Sequence, residues 1–423
     1  MNGIQASLRG NNNPIRYIPM RSLSFFVCIT LSLMCATLSV CPLQATSMQK
    51  GFANVDKNDP LSTVKSNQVM DNTKNKNNIT SEQNVESKNF IFPSQVALFE
   101  QGINDTKKTD RAMLSGEWSV EQSRAIASGL ISLVREEEKP KMASINEWKI
   151  PGNNGNEILV RFYDPGVSQR LSPVLIFVHG GGWTVGNVDI FDDSIRRLAN
   201  ASDMVVAAMN YRLAPEDPFP AGLNDVVSTV RLIAENGNDL GVNPSKIALG
   251  GDSAGANLAL AAALVLRDST KPIGEGGGGG REESNLIDAL YLLYGPYSPA
   301  LLSRESMKMF RQGEYGLTYA QMKWAMNQTF QNQSDYRNPL AFPLLAENLT
   351  GLPPVYIAAM ALDPLKDDSI ALAQKLDEQG NEYYITIWPG VAHGALSLIP
   401  LTPQIQEYLE AMTTYLKGVL LNS

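Results

Sequence analysis

Lys246-Ile247-Ala248-Leu249-Gly250-Gly251-Asp252-Ser253-Ala254-Gly255-Ala256-Asn257 is the stretch that decides the fold. Its first four residues follow a turn at Asn243-Pro244 and read as a short buried strand, whereas the apolar spacing from Ala254 to Arg267 is helical. A G-x-S-x-G pentapeptide thus sits where a strand turns into a helix. A serine in that position stands on a sharp, strained turn, so the residues two before and two after it must lack colliding side chains. Gly251 and Gly255 meet that need as structural support. The helix amino terminus behind Ser253 favours the negative charge that develops when a hydroxyl attacks a carbonyl. In a chain with 33 glycines the same pentapeptide also fits a plain strand-to-helix turn, so the surroundings must decide.

Outward from this stretch, strand-like and helical segments alternate, the pattern of an α/β fold with a mostly parallel sheet covered on both faces. A short strand at Ile158 to Tyr163 is closed by Asp164-Pro165-Gly166. Six more strands follow at Val174 to Val178, Met204 to Met209, Lys246 to Leu249, Ala289 to Tyr294, Val355 to Ala359 and Tyr383 to Trp388. The runs at 174 to 178 and 204 to 209 are continuously apolar and too short for helices, as buried strands are. Helices in Asp193 to Asn200, Asn224 to Glu235 and Ser369 to Gln379 supply crossovers. Earlier in the chain Ser119 and Gln122 form a capping box, which puts Ile126, Leu130, Leu133 and Val134 on one helical face. The glycine tract Gly276 to Gly280 reads as a surface loop, since a phosphate cradle needs a strand before it and a helix opening directly after it.

A serine hydroxyl needs a base, and the base needs a third group to fix its tautomer. In the chain order Ser, acid, His, both partners lie downstream of Ser253. Only His393 qualifies as the base, in the turn Pro389-Gly390-Val391-Ala392-His393-Gly394 past the last strand. Asp363, directly after the strand run and before Pro364, is favoured as the acid over Asp367 and Asp368, which lie a turn further on, where acids commonly serve a helix start. Upstream, His179-Gly180-Gly181-Gly182-Trp183 follows the strand ending at Val178. Its glycines let backbone N–H groups turn toward a ligand, so Gly181 and Gly182, with Ala254 after the nucleophile, form a candidate oxyanion hole. His179 precedes these donors and reads as structural support for the loop.

Composition removes several rival chemistries. His179 and His393 are the only histidines and Cys28, Cys35 and Cys41 the only cysteines among 423 residues, so sites built on several His or Cys, iron–sulfur clusters and disulfide scaffolds lack ligands. No metal or organic cofactor is expected. All three cysteines fall within residues 1–45, which read as an export signal: Arg9, Arg16 and Arg21, then the apolar Leu23 to Val40, then Pro42 and Ala45. A lipoprotein site at Cys41 and an uncleaved anchor are less favoured, the first for Val40 before the cysteine, the second for five Ser or Thr in 18 residues. Loss of 1–45 removes three of the 35 basic residues and none of the 43 acidic ones, leaving a net charge of −11. That balance disfavours nucleic acid and anionic lipid surfaces as partners. Residues 46–90 are polar and aperiodic, as in a disordered tether, and 91–423 read as one domain. The expected location is periplasmic or secreted, with no stable membrane partner after signal removal.

Together these motifs resemble the hormone-sensitive-lipase-like branch of α/β-hydrolase carboxylesterases. Besides those above, the resemblance rests on Tyr211-Arg212-Leu213-Ala214-Pro215-Glu216, Asp363-Pro364-Leu365 and His393-Gly394, and covers about Phe92 to Leu420. It implies Ser253 as nucleophile, His393 as base then acid, Asp363 as orienting acid, and oxyanion donors at Gly181, Gly182 and Ala254. It also implies a helical cap, from about 92–138 and 301–345. Ala256 stands where the family usually has glycine, and Ala395-Leu396 follow His393-Gly394 where an aromatic is common. The expected activity is hydrolysis of short- to medium-chain acyl esters through an acyl-enzyme, the partner being a small-molecule ester. Amide hydrolysis on the same triad is one alternative. A non-catalytic binding protein on this scaffold is another, disfavoured because His393 is present.

Overall fold

The structure, a computed structural model, describes residues 106–129, 136–167, 171–269, 282–313, 315–398 and 403–421. The signal and tether readings, the face formed by Leu130, Leu133 and Val134, and the glycine tract lie outside these residues. The described chain forms an eight-stranded sheet in the order β1-β2-β4-β3-β5-β6-β7-β8. The strands are β1 (Ser144–Pro151), β2 (Glu157–Asp164), β3 (Ser172–Val178), β4 (Val205–Asn210), β5 (Val242–Asp252), β6 (Ala289–Leu293), β7 (Val355–Leu362) and β8 (Tyr383–Ala392). β2 pairs antiparallel with β1 and with β4, and every other pairing is parallel.

Helices fill both faces, as the alternation requires. They are α1 (106–115), α2 (Val120–Gly129), α3 (Asp192–Ser202), α4 (Ala221–Asn236), α5 (Ala254–Arg267), α6 (Glu305–Phe310), α7 (Tyr319–Thr329), α8 (Lys366–Glu378), α9 (Ala395–Leu398) and α10 (Pro403–Leu420). Successive side chains of a strand point to opposite faces, and β3 shows the result. Val174, Ile176 and Val178 pack with α4, α5 and α8 on one side, while Leu175 and Phe177 pack with α3 and α10 on the other. All seven β3 residues are buried. Truncating a side chain such as Phe177 to alanine costs roughly 3–5 kcal/mol in a core of this kind.

Three expectations need correction. The sequence reading has no strand at Ser144–Pro151, yet β1 is there; it is an edge strand with only Ile150 buried, so no apolar alternation marks it. Asn243-Pro244 is not a turn before β5 but lies inside that strand, opposite a register shift between Ser172 and Val174. Likewise Pro389-Gly390 belongs to β8, which runs on to Ala392. The capping box at Ser119 and Gln122 is present in both directions, at 2.8 and 3.2 Å. On α2, however, it is Val120 and Ala127 that are buried.

Candidate active site

β5 lies between β3 and β6 in the middle of the sheet, so whatever follows its carboxyl end emerges at the centre of one edge. Ser253 follows it directly, at φ 53° and ψ −122°, and α5 begins at the next residue. That torsion pair is outside the regions an L-residue favours. The glycines explain how the turn fits: a Cβ on Gly251 or on Gly255 would overlap the Val178 carbonyl at the end of β3. The small residues two before and two after the serine therefore answer to the neighbouring strand as well as to the turn itself.

Ser253 Oγ lies 2.9 Å from His393 Nε2, and His393 Nδ1 lies 2.9 Å from Asp363 Oδ2. With the ring proton on Nδ1, the hydroxyl donates to Nε2 and Nδ1–H donates to the carboxylate. Asp363 is 0% exposed, and its other oxygen accepts the N–H of Leu365 at 2.7 Å. Both oxygens are thus engaged and the acid is locked in one orientation. Its rivals are occupied elsewhere. Asp367 accepts the N–H of Ser306 at 2.8 Å, and Asp368 accepts those of Tyr297 and Ser298 at 2.7 and 2.8 Å while pairing with Arg304 at 3.0 Å. Both therefore fasten the 297–306 segment to the start of α8. Burial pushes Asp368 up to about 6, opposed by the Arg304 charge.

The glycine loop leaves the end of β3 beside the elbow. Gly181 and Gly182 take φ of 120° and 58°, open to glycine and strained for other residues. Thr184 and Val185 donate their N–H groups to the Gly181 carbonyl, which tightens the loop. Among the described residues, no acceptor engages the N–H of Gly181 or of Gly182. Ala254 is the first residue of α5, where an N–H has no intrahelical partner. The glycine loop and the elbow are neighbours: a Cβ on Gly180 would meet Asp252, and one on Gly255 the carbonyls of Val178 and His179. α7 closes over them, since a Cβ on Gly182 would lie 2.9 Å from that of Ala325.

His179 lies buried at the start of this loop. It is 3% exposed, its Nδ1–H donates to the Gly180 carbonyl at 2.7 Å, and its ring stacks on Tyr211 with centroids 4.5 Å apart. Burial lowers its pKa to about 4, so it stays neutral. Tyr211 O–H in turn donates to the His179 carbonyl at 3.1 Å. The next motif residues anchor the surroundings. Arg212 makes a multiple contact with the fully buried Asp225, and Glu216 pairs with both terminal nitrogens of Arg124 at 2.8 Å.

Three further residues at the site are given no role by the sequence reading. Asn257 accepts Trp183 Nε1–H at 3.2 Å and donates to the carbonyls of Pro296 and Ala341, which joins the glycine loop to the 296–341 segment. Its place one turn into α5, on an otherwise apolar face, is a signal that was present in the sequence. Asp252 and Tyr294 are the other two. Asp252 fills a variable position of the pentapeptide, and Tyr294 stands at the end of β6, where nothing in a single sequence distinguishes it from core. A narrow pocket opens beside this region, walled by Trp183, Phe219, Leu258 and Phe330; neither Ser253 nor His393 lines it.

Comparison with known proteins agrees with this arrangement. A family model described as an α/β-hydrolase fold matches residues 175–397. The carboxylic ester hydrolase LipN of Mycobacterium tuberculosis is 34% identical over 259 residues, which are 61% of this chain and 65% of that protein, just under two thirds of its length. The carboxylesterase NlhH of the same species is 32% identical over 266 residues, 62% of this chain and 78% of that one. An esterase of Pyrobaculum calidifontis superposes with a TM-score of 0.64 at 30% identity, covering 71% of this chain and 93% of its own. With the motifs, the sheet order and these relatives in agreement, the chain belongs to the α/β-hydrolase family, in its hormone-sensitive-lipase-like branch, and is a hydrolase.

Proposed function

We propose that this protein is a serine carboxylesterase that hydrolyses short- to medium-chain acyl esters through an acyl-enzyme. The observation that carries the reading is the unbroken chain from Ser253 through His393 to the buried Asp363, with both links at 2.9 Å. Ser253 Oγ attacks the ester carbonyl as its proton passes to His393 Nε2. The resulting imidazolium is held by Asp363, and the tetrahedral oxyanion by the amides of Gly181, Gly182 and Ala254. His393 then protonates the leaving alcohol. Water, deprotonated by the same nitrogen, attacks the acyl-enzyme and releases the acid. One oxyanion donor contributes about 3 kcal/mol to such a reaction, a hundredfold or more in rate.

The relatives' names support ester hydrolysis. We read α1 and α2 together with 301–345 as a cap, because Trp324 and Ala325 of α7 pack with Val120 of α2, and Thr318 Oγ1 donates to Asp110 at 2.7 Å. Export to the periplasm or medium is proposed from residues 1–45 alone. The test is hydrolysis of p-nitrophenyl esters from acetate to palmitate by wild type and Ser253→Ala, with a fluorophosphonate probe to label the nucleophile. Equal rates for the two proteins overturn the mechanism, and a maximum at palmitate overturns the acyl-length reading.

A further inference from the structure

Asp252 is a buried carboxylate that takes no part in the proton transfer above. Its Oδ1 accepts the N–H of Gly180 at 2.7 Å, and its Oδ2 accepts the Tyr294 O–H at 3.4 Å. The same phenol oxygen accepts the N–H of Leu396 at 3.1 Å. Gly180 immediately precedes the two oxyanion glycines, and Leu396 follows His393 by three residues. The Tyr294 ring also stands edge-on to the His393 ring, with centroids 5.1 Å apart. Asp252 and Tyr294 are 3% and 1% exposed, so the path from one loop to the other is buried.

Two further details show how closely this path is built. A Cβ on Gly180 would lie 2.6 Å from Asp252 Oδ2, so only glycine permits the carboxylate to approach the loop. Tyr294 holds φ at 42°, fixed by its N–H donating to the Ala358 carbonyl at 2.8 Å. Burial, with the Asp252 charge beside it, raises the phenol well above its ordinary value and keeps it a donor.

We propose that Asp252 and Tyr294 are positioning residues, a buried strut that holds the oxyanion donors in register with His393. The proposal rests on the esterase reading. Its physical reason is that the oxyanion and the imidazolium form in one step, so the distance between their two supports must be right in the transition state. The N–H groups of Gly180 and Leu396 each meet one of these two side chains. A support of this kind acts on the transition state more than on the bound ester, so its loss lowers kcat and leaves KM nearly unchanged.

Tyr294→Phe keeps the ring and removes only the bridging hydroxyl. With p-nitrophenyl butyrate we expect kcat per phosphonate-titrated site to fall about 10- to 100-fold, with KM within about threefold. Affinity for a trifluoromethyl ketone, which mimics the tetrahedral state, should fall in parallel. Asp252→Asn keeps an acceptor for Gly180 but breaks the geometry at the phenol, and the double variant should be no slower than the slower single one, since both cut the same path. Unchanged kcat per titrated site in Tyr294→Phe, with only a lower thermal midpoint, overturns the strut, as do losses that multiply in the double variant. Ser253→Ala, assayed alongside, separates the two readings. An inactive alanine variant with a fully active Tyr294→Phe removes the strut alone, and an active alanine variant removes both.

Discussion

Asp363 and His393 are 30 residues apart in the chain and 2.9 Å apart in space because β8 carries two more residues than β7 over their last paired stretch. Met360 pairs with Trp388, but Leu362 pairs with Ala392. The extra residues lie within Pro389-Gly390-Val391, and they bring the residue after β8 level with the residue after β7. Without that bulge His393 would be displaced along the strand from Asp363. Bulges beside active sites commonly re-aim a side chain in this way.

Asp363→Asn is the sharpest probe of that pairing. An amide can present its N–H₂ to His393 Nδ1 and so favour the wrong tautomer. We expect kcat for a short p-nitrophenyl ester to fall by roughly three to four orders of magnitude with little change in KM. Asp367→Asn should remain within a few-fold of wild type. Comparable losses in the two variants would remove Asp363 from its assigned role.

Glycine substitutions separate close approach from torsion. Gly255→Ala puts a Cβ into the Val178 carbonyl, a collision between backbones that no side chain can relieve, and should abolish soluble folded protein or cut the thermal midpoint sharply. Gly394→Ala meets nothing within 4 Å but must hold φ at 77°, and should cost only about 1–2 kcal/mol in urea unfolding. A mild phenotype for Gly255→Ala would mean that the elbow tolerates more room than its geometry allows.

Much of this site is written in the sequence because its requirements are local. A serine at a strand-to-helix turn needs glycines at fixed offsets, and oxyanion amides need a run of glycines, so these positions can be read directly. The strands that bury both faces, such as β3, are legible for the same reason. β1 is not, because an edge strand with one buried residue has no pattern to show. Nor is the β8 bulge, since Pro389-Gly390 looks like a turn until its partner strand is known. Asp252 and Tyr294 are illegible for a different reason: their roles depend on contacts 72 and 102 residues distant in the chain, to Gly180 and Leu396.

Arg124 ties α2 to the glycine loop and its neighbour. Its guanidinium meets Glu216 at two nitrogens and also donates to the carbonyls of Thr184 and Ala214, at 3.0 and 3.2 Å. The ion pair is partly exposed, 33% and 55%, so its share of global stability is below about 1 kcal/mol. Arg124→Ala should therefore leave the urea midpoint almost unmoved while amide exchange across 120–129 speeds up about five- to tenfold. Uniform acceleration over the whole protein would show that the residue supports the fold and not the local docking.

His179 gives the stability of the fold an acid limit. Its pKa is lowered to about 4 by burial, against an unfolded value of about 6.5. Between those values the unfolded chain takes up a proton that the native chain refuses, so acidification through this window destabilises the fold. Asp252, raised by burial to about 6, has the opposite sign, since the native state there protonates first. In His179→Gln the free energy of unfolding should lose about 1.4 kcal/mol less per pH unit across the lower part of the window than in wild type. Urea titrations at pH 6.5, 5.5 and 4.5 measure that slope, and equal slopes would count against a buried neutral His179.

Among the described residues four that are not glycine hold a positive φ: Trp183, Asp203, Ser253 and Tyr294. Asp203 ends α3 and pairs with Lys417. The other three stand at the glycine loop, at the elbow and at the phenol beside His393. A tracing of this chain stripped of every side-chain label would therefore still disclose where its chemistry resides. Tension of this sort, of order 1–3 kcal/mol per residue, persists only where the surroundings enforce it. Selection for rigidity alone would relax these three positions first, and in this protein an increase in robustness at any of them is the change to be suspected of silencing the enzyme.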